Sequence, residues 1–295
     1  FSQLSFCPMV QPVNPLPSNY WKNLVTDYGK QDLETRRDWY ASVASRYDRL
    51  RPRYPDALID RVVQLAKLPS GGRILELGCG PGTATIALAR RGFSLLSLEP
   101  ALASAQLAQV NCRSFNQVQI ENVTFEEWQP TDPGFDAVLA ATAWHWLTPA
   151  IAYRKSHQVL NPAGSLILLW NTPPQPSPEL YQYLDPVYQA IAPEIPIYAR
   201  YDDLTVHQEQ FQQLEADILA CGYFHSVQHE QTIQHLTYPI QDYLDLLSTL
   251  SPYIALNPEQ REHLFAALSP VLAQHCGESV PLTFCSAFHL AQKLG

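Results

Sequence analysis

Three glycines at alternate positions follow an apolar run in Arg73-Ile-Leu-Glu-Leu-Gly-Cys-Gly-Pro-Gly-Thr83, namely Gly78, Gly80 and Gly82. Glycine removes the Cβ where a ligand must touch the backbone, and it permits positive φ. A helix opening just after such a turn offers free N–H groups. Glu99 ends the next apolar run, where a carboxylate can accept both hydroxyls of a ribose lying outside the strand ends. Turn and acid together predict a ligand that carries a nucleoside.

Spacing narrows which nucleoside. A dinucleotide fingerprint G-x-G-x-x-G would put its third glycine at Thr83, whereas the third glycine is Gly82. Glu76 stands just before the turn, and a carboxylate aimed at it would repel a pyrophosphate and welcome an ammonium group. That combination favours S-adenosylmethionine, whose amino-acid end is zwitterionic and whose sulfur is cationic. Two other readings stay open on these residues: an NAD-dependent oxidoreductase, against which Thr83 and Glu76 count, and a non-catalytic nucleoside-binding protein on the same fold. Cys79 is a nucleophile or a small filler, and filler is favoured because no neighbouring His or Lys would lower its pKa.

The substrate side is expected after the fourth strand, in Ala140-Ala-Thr-Ala-Trp-His-Trp146. Methyl transfer from a sulfonium is an in-line displacement, so the protein mainly aligns the groups in a dry site. A base is needed only when the nucleophile carries a proton. Trp144 and Trp146 could wall a pocket and favour a nearby cation. His145 could orient a substrate oxygen or take a proton, or be a structural residue bonded to backbone. No Asp pair stands in this loop to hold magnesium, so no metal is expected. Arg51, Arg53 and Tyr54 read either as a segment that offers a guanidinium to a carboxylate or as a solvated turn. Tyr243, Leu246, Leu247, Leu250 and Tyr253 read equally as pocket lining or as amphipathic packing. Phe284 and His289 alternate as a buried strand would.

These groups need a scaffold, and the chain can supply one. Its 295 residues allow one large domain or two modest ones. With 46% hydrophobic residues, 19 basic against 28 acidic side chains and a net charge of -9, it reads as an acidic globular protein without a phosphate-binding face. No basic amphipathic stretch or spanning apolar run is visible, so neither nucleic acid nor membrane insertion is expected. The charge is uneven: residues 171–260 hold one basic side chain, Arg200, against twelve acidic ones, a balance of -11, and the remainder carries +2. Long-range attraction of an anionic acceptor through that region is therefore unfavourable. Six scattered cysteines without a C-x-x-C pair read as reduced thiols in a cytoplasmic protein. The first residues lack a basic n-region and meet Pro8 and Pro12, unlike a signal peptide.

Residues 1–38 read as an irregular, proline-bearing extension. From there Tyr40, Val43, Tyr47 and Leu50 form a helical stripe that stops at Pro52. Pro55 and Asp56 open the next helix, with Leu58, Val62, Leu65 and Ala66 as its stripe. Strands are expected at 73–77, 94–98, 117–123, 135–141, 164–170, 224–232 and 280–291. Helices are expected at 82–91, 101–111, 149–160, 239–249 and 257–276, the last capped by Asn257 and Pro258. Strands separated by helices predict an α/β fold with a mostly parallel sheet covered on both faces. The domain is expected over 39–295, with helical lid insertions at about 172–221 and 234–279 over the carboxyl edge of the sheet.

With these motifs in place, the sequence resembles the class I S-adenosylmethionine-dependent methyltransferases. Within them it is similar to the small-molecule branch of the trans-aconitate and juvenile hormone acid methyltransferases, over roughly residues 40–295. The resemblance rests on Glu76-Leu-Gly-Cys-Gly-Pro-Gly82, Leu98-Glu99-Pro100, Phe135-Asp136, Trp144-His145-Trp146, Asn161-Pro-Ala-Gly164 and Tyr47-Asp-Arg-Leu-Arg-Pro-Arg-Tyr-Pro55. It implies a Rossmann-like seven-stranded sheet with an antiparallel last strand and a helical lid, and a monomer or weak dimer that methylates a small-molecule acceptor, oxygen being favoured. It implies that Gly78 and Gly80 line the methionine portion, with Cys79 and Gly82 in the same turn, and that Glu99 holds the ribose. The loop after the third strand would cover the adenine. Where that family commonly has an acid, this chain has Thr124, whose hydroxyl can accept a hydrogen bond, followed by Phe125, which either stacks on the base or belongs to the core. Tyr47, Glu76 and Ala140 complete the expected cofactor set, and His145, Trp144 and Arg51 are the expected catalytic residues.

Overall fold

A computed structural model of the chain describes residues 39–130, 134–195 and 204–295; the expected extension over 1–38 lies outside the described residues. Seven strands form one sheet in the order β3-β2-β1-β4-β5-β7-β6. Here β1 is Arg73–Leu77, β2 Ser94–Leu98, β3 Val118–Glu121, β4 Phe135–Ala141, β5 Leu160–Asn171, β6 Phe224–Pro239 and β7 Ser279–Lys293. The first five pair in parallel, and β7 runs antiparallel to both β5 and β6. The expected α/β architecture, antiparallel last strand included, is what forms.

Alternation explains how β1 is used. Ile74 packs on one face with Leu58, Ile59 and Val62 of α2 (Asp56–Leu65) and with Ala84 and Leu88 of α3 (Thr83–Ala89). Leu75 and Leu77 point the other way, into a cluster with Phe125, Trp144 and Tyr153. A strand buried on both faces needs no polar side, so the one acid in β1, Glu76, is an exception that requires partners. Helix α1 (Ala44–Leu50) precedes α2, and α4 (Leu102–Asn111) follows β2. Helix α5 (Pro149–Val159) starts with proline at its first turn, where the missing N–H costs nothing.

The remaining helices are α6 (Pro178–Ile191), α7 (Leu204–Ala220), α8 (Ile240–Leu247), α9 (Ser251–Ile254) and α10 (Pro258–Cys276). Ser177 caps α6 by accepting from the Leu180 N–H, and Asn257 caps α10 by accepting from the Glu259 N–H. Helices α6, α8, α9 and α10 build a second core around Leu184, Tyr188, Leu247, Tyr253, Leu264 and Leu268. The Tyr188 and Tyr253 hydroxyls share a hydrogen bond of 2.7 Å inside it.

Two boundaries differ from expectation. Strand β5 begins at Leu160, which pairs with Phe135, and Asn161–Gly164 form an irregularity before Ser165 pairs with Ala137. Strand β6 continues to Pro239, so residues 234–239 are strand and not lid. The period-two pattern responsible carries on past Thr232 through Gln234, Leu236 and Tyr238, each less exposed than its neighbours. Helix α8 then starts directly at Ile240.

Candidate functional site

A cleft lies outside the carboxyl ends of β1, β2 and β4, where open α/β sheets bind ligands. It holds about 1330 Å³ counting its open mouth.

The glycine turn forms one wall. Gly78 has φ 67° and Gly80 φ 57°, a region that penalises a Cβ. A Cβ on Gly78 would come within 2.9 Å of the Ala143 Cβ, so the bare backbone lets the chain after β4 close on the turn. A Cβ on Gly80 would meet nothing within 4 Å and would project into open space. Gly78, Cys79 and Gly80 line the cleft, whereas Gly82 does not. Gly82 instead caps the start of α3, where a Cβ would meet Cys112 and Ala108, while Pro81 and Thr83 on either side of it line the cleft. Cys79 is buried, and desolvation with Glu76 and Glu99 nearby raises its thiol, as suits a filler and not a nucleophile.

Glu99 lines the cleft and is held by two backbone donors, the Gly80 N–H at 2.8 Å and the Ala101 N–H at 2.9 Å. Burial raises its carboxyl to about 7 against those hydrogen bonds. Each oxygen keeps acceptor capacity beyond its backbone partner.

Glu76 stands apart from the residues that line the cleft. Its side chain does not line the cleft: it points to the face that carries α3, where one oxygen accepts from the Thr85 hydroxyl at 2.5 Å and the Ser97 hydroxyl at 2.9 Å. The reason is strand alternation, which sends Glu76 with Ile74 and pairs it with Ser97 on β2. Burial raises it to about 7 as well. Ala140 is fully buried in the core with Val138, while Ala141, Thr142 and Ala143 line the cleft.

Thr124 and Phe125 both line the cleft, but the Thr124 hydroxyl is spent locally. It donates to the Glu127 carboxylate at 2.8 Å and accepts the Glu127 N–H at 3.1 Å, a capping arrangement. Phe125 is buried and stacked with Trp128, with ring centroids 6.2 Å apart. Glu126, which the motif reading passed over, also lines the cleft, one oxygen accepting the Thr148 N–H at 3.0 Å. Lys155 holds this loop from behind: its ammonium donates to the Phe125 carbonyl at 2.7 Å and to the Trp128 carbonyl, and it lies 5.0 Å from the Phe125 ring centroid. No local motif announces that lysine, which reads in sequence as an ordinary helical one.

The two expected catalytic aromatics pack against neighbouring rings. Trp144 is buried against Tyr153, and His145 packs against Trp146 and Trp170; neither lines the cleft. A 3-10 turn over Trp144–Trp146 rotates successive side chains apart, so Trp146 is the one presented. Burial lowers His145 to about 4, leaving a neutral ring at pH 7.

The wall opposite the glycine turn comes from residues 40–54. Tyr40, Tyr47, Arg51 and Tyr54 line the cleft. Tyr40 lies edge-on to Tyr47 and to Trp146, at 5.6 Å in each case. The Arg51 guanidinium sits 4.8 Å from the Tyr47 ring centroid and is steadied by Thr249, through its hydroxyl at 2.9 Å and its carbonyl at 2.7 Å. Among the described residues no carboxylate pairs with Arg51. Arg53 turns away instead, paired with Asp48 at 2.8 Å. Tyr243, Leu246, Leu247, Leu250 and Tyr253 are absent from the lining because they face the second core. His289 is fully buried, its Nε2 3.0 Å from the Phe211 carbonyl on α7.

Among the described residues no cluster could hold a metal, and no helix is long and apolar enough to cross a membrane. Residues 74–164 match the methyltransferase domain family. An uncharacterized methyltransferase of Mycobacterium tuberculosis is 36% identical over 141 residues, 47% of this chain and 55% of that one. The trans-aconitate 2-methyltransferase of Variovorax paradoxus is 32% identical over 110 residues, 37% of this chain and 40% of that one. The chain spans about half the length of the mycobacterial relative it matches. A solved structure described as a candidate type II methyltransferase from Anaeromyxobacter dehalogenans shares the fold, with a TM-score of 0.60 at 19% identity over 82% of this chain and 97% of that one. Residues 74–164 thus carry a methyltransferase domain, on a scaffold whose strand order, glycine turn at the end of β1 and acid closing β2 resemble those of the class I S-adenosylmethionine-dependent methyltransferases.

Proposed function

We propose that the chain moves a methyl group from S-adenosylmethionine to a small acid, with a carboxylate oxygen as acceptor. The observation that carries this reading is one cleft with bare backbone at Gly80 and the Glu99 carboxylate on one wall, and on the other an Arg51 guanidinium that no carboxylate pairs with among the described residues. When bound, the cofactor supplies an electrophilic methyl group on a cationic sulfur. The chain's own residues do the rest. Glu99 accepts the ribose hydroxyls with its remaining lone pairs. Glu126, in place of Thr124, takes the adenine amino group. Tyr40, Tyr47 and Trp146 offer ring faces and edges near a cation and exclude water. Arg51 fixes the acceptor's carboxylate by charge-assisted hydrogen bonds. A carboxylate nucleophile needs no proton removed. The acidic balance of residues 171–260 leaves capture of such an anion to Arg51 at short range.

We further read the protein as cytoplasmic, monomeric or weakly dimeric, with a domain over 39–295 and its helical lid. Calorimetry with S-adenosylmethionine and S-adenosylhomocysteine is the first test, paired with a screen of small carboxylic acids using methyl-labelled cofactor. No binding of either nucleoside, or the same affinity in Glu99→Ala, would overturn the cofactor assignment. NADH titration followed by fluorescence separates the oxidoreductase alternative, and transfer of label to any acceptor removes the non-catalytic one.

A further inference from the structure

Four consecutive residues over the cleft are fastened to four different parts of the fold. Arg51 reaches Thr249 after α8 at 2.9 Å, and the Pro52 carbonyl accepts the Asn171 side-chain N–H at 2.9 Å. Arg53 reaches Thr83 at the start of α3 at 2.8 Å, and the Tyr54 hydroxyl meets the Thr142 hydroxyl at 2.7 Å. Two of these four anchors converge on one residue. Asn171 ends β5, and its backbone N–H donates to the same Thr142 oxygen at 3.3 Å. Its side-chain carbonyl accepts from the Ser286 hydroxyl at 2.6 Å, across a direct β5–β7 pair. That last bond fixes which way the amide faces: with its oxygen committed to Ser286, its nitrogen must face Pro52. Thr142 itself stands at φ 53°, where a β-branched residue is strained and persists only when its surroundings hold it. Ser286 is fully buried and lines no part of the cleft.

We propose that Asn171, oriented by Ser286, is a positioning residue that holds Arg51–Tyr54 as a closed strap over the cleft, and so sets how fast a bound nucleoside leaves. The proposal rests on the cofactor reading above. It acts through two contacts, Pro52 and Thr142; Asn171 itself lines the cleft, and Ser286 does not. Opening the strap must break the Asn171 to Pro52 and Tyr54 to Thr142 hydrogen bonds together, because Thr142 links them. Release of the product nucleoside is then a gated step, separable from binding.

The test is the release of S-adenosylhomocysteine from the full chain, followed by stopped-flow, in Asn171→Asp and Ser286→Ala. Asn171→Asp keeps shape but sets an oxygen against the Pro52 carbonyl; Ser286→Ala frees the amide to turn over without touching the cleft. Dissociation should rise roughly threefold to tenfold, the kinetic equivalent of one net hydrogen bond, with association within about twofold of the parent. General loosening of the fold would slow association as well. Should Asn171→Asp not fold, Tyr54→Phe removes the other half of the latch and should act in the same direction. Unchanged dissociation in Ser286→Ala and in the folded latch variant sinks the proposal, while failure of the unaltered chain to bind S-adenosylhomocysteine sinks the cofactor reading and this proposal with it.

Discussion

The Lys155 ammonium donates to the Phe125 carbonyl at 2.7 Å, and through it a helix on the far side of the loop governs the cleft wall. Lys155 is buried on α5, and burial lowers its pKa while Glu126 supports the charged form. In Lys155→Met the Phe125 and Trp128 carbonyls lose their donor. Leaving buried acceptors unsatisfied costs about 1–3 kcal/mol. The expected result is a lower melting temperature together with S-adenosylhomocysteine affinity weakened about tenfold. Calorimetry and a thermal melt on the same sample check both, and unchanged affinity would show that the lysine is structural only.

The two buried acids make binding depend on pH in a definite direction. Glu76 and Glu99 are raised from 4.5 to about 7, so between those values the folded chain holds protons that the unfolded chain has released. Stability contributed by these groups is full below 4.5, falls as pH rises toward about 7, and levels off above it. Ligand binding runs the other way, because a ribose hydroxyl donates to the ionised Glu99 and a sulfonium favours negative charge. Affinity for S-adenosylmethionine should therefore rise with pH up to about 7 and flatten beyond. In Glu99→Gln the slope should shrink to whatever Glu76 alone supplies. Calorimetry across this range reads it directly, and a flat profile in the parent contradicts it.

Arg51 is expected to serve the acceptor and not the cofactor. Arg51→Lys keeps a charge but loses the fork that grips a carboxylate. Its KM for an acid acceptor should rise about 10–100-fold, the worth of a charge-assisted hydrogen bond, with kcat less affected. Binding of 5′-methylthioadenosine, which has no carboxylate, and of S-adenosylhomocysteine should then change equally. A loss confined to S-adenosylhomocysteine would reassign Arg51 to the methionine end.

Gly78 and Gly80 should respond differently to alanine. Both pay about 1–2 kcal/mol for a Cβ in the left-handed region, but only Gly78→Ala also drives into Ala143, at 2.9 Å. Gly78→Ala should be the less stable of the two in a chemical denaturation series. Gly80→Ala should keep more stability and lose more cofactor affinity, since its methyl enters the cleft.

A change in the second core should leave the nucleoside end alone. Leu268 is almost fully buried there, and Leu268→Ala should cost about 2–5 kcal/mol. S-adenosylhomocysteine affinity of the folded protein should stay within about twofold of the parent.

The parts of this molecule that were legible in the sequence are those where local pattern and chemistry coincide. The run from Arg73 to Thr83 carries strand, turn and helix in one stretch, and Glu99 follows at the end of the next strand, so turn and acid could be read together. Side-chain direction was harder. Glu76 sits in the right motif, but its position in β1 sends it to the α3 face, a matter of parity that the motif does not state. Likewise Trp144, His145 and Trp146 are adjacent in sequence and diverge in space, because a 3-10 turn spreads them. Asn171, Thr142 and Lys155 escaped notice because their roles arise from contacts far away in the chain, with Pro52, Tyr54 and Phe125. The extent of β6 was underestimated because a polar edge strand alternates in degree of exposure and not in hydrophobicity.

The second core reaches the sheet through Val280 and Leu282 of β7 and the first helix through Leu50. The residues from Arg51 to Tyr54 touch both parts, Thr249 beside the second core and Thr142 at the end of β4, so a change on either side is felt at the same four residues.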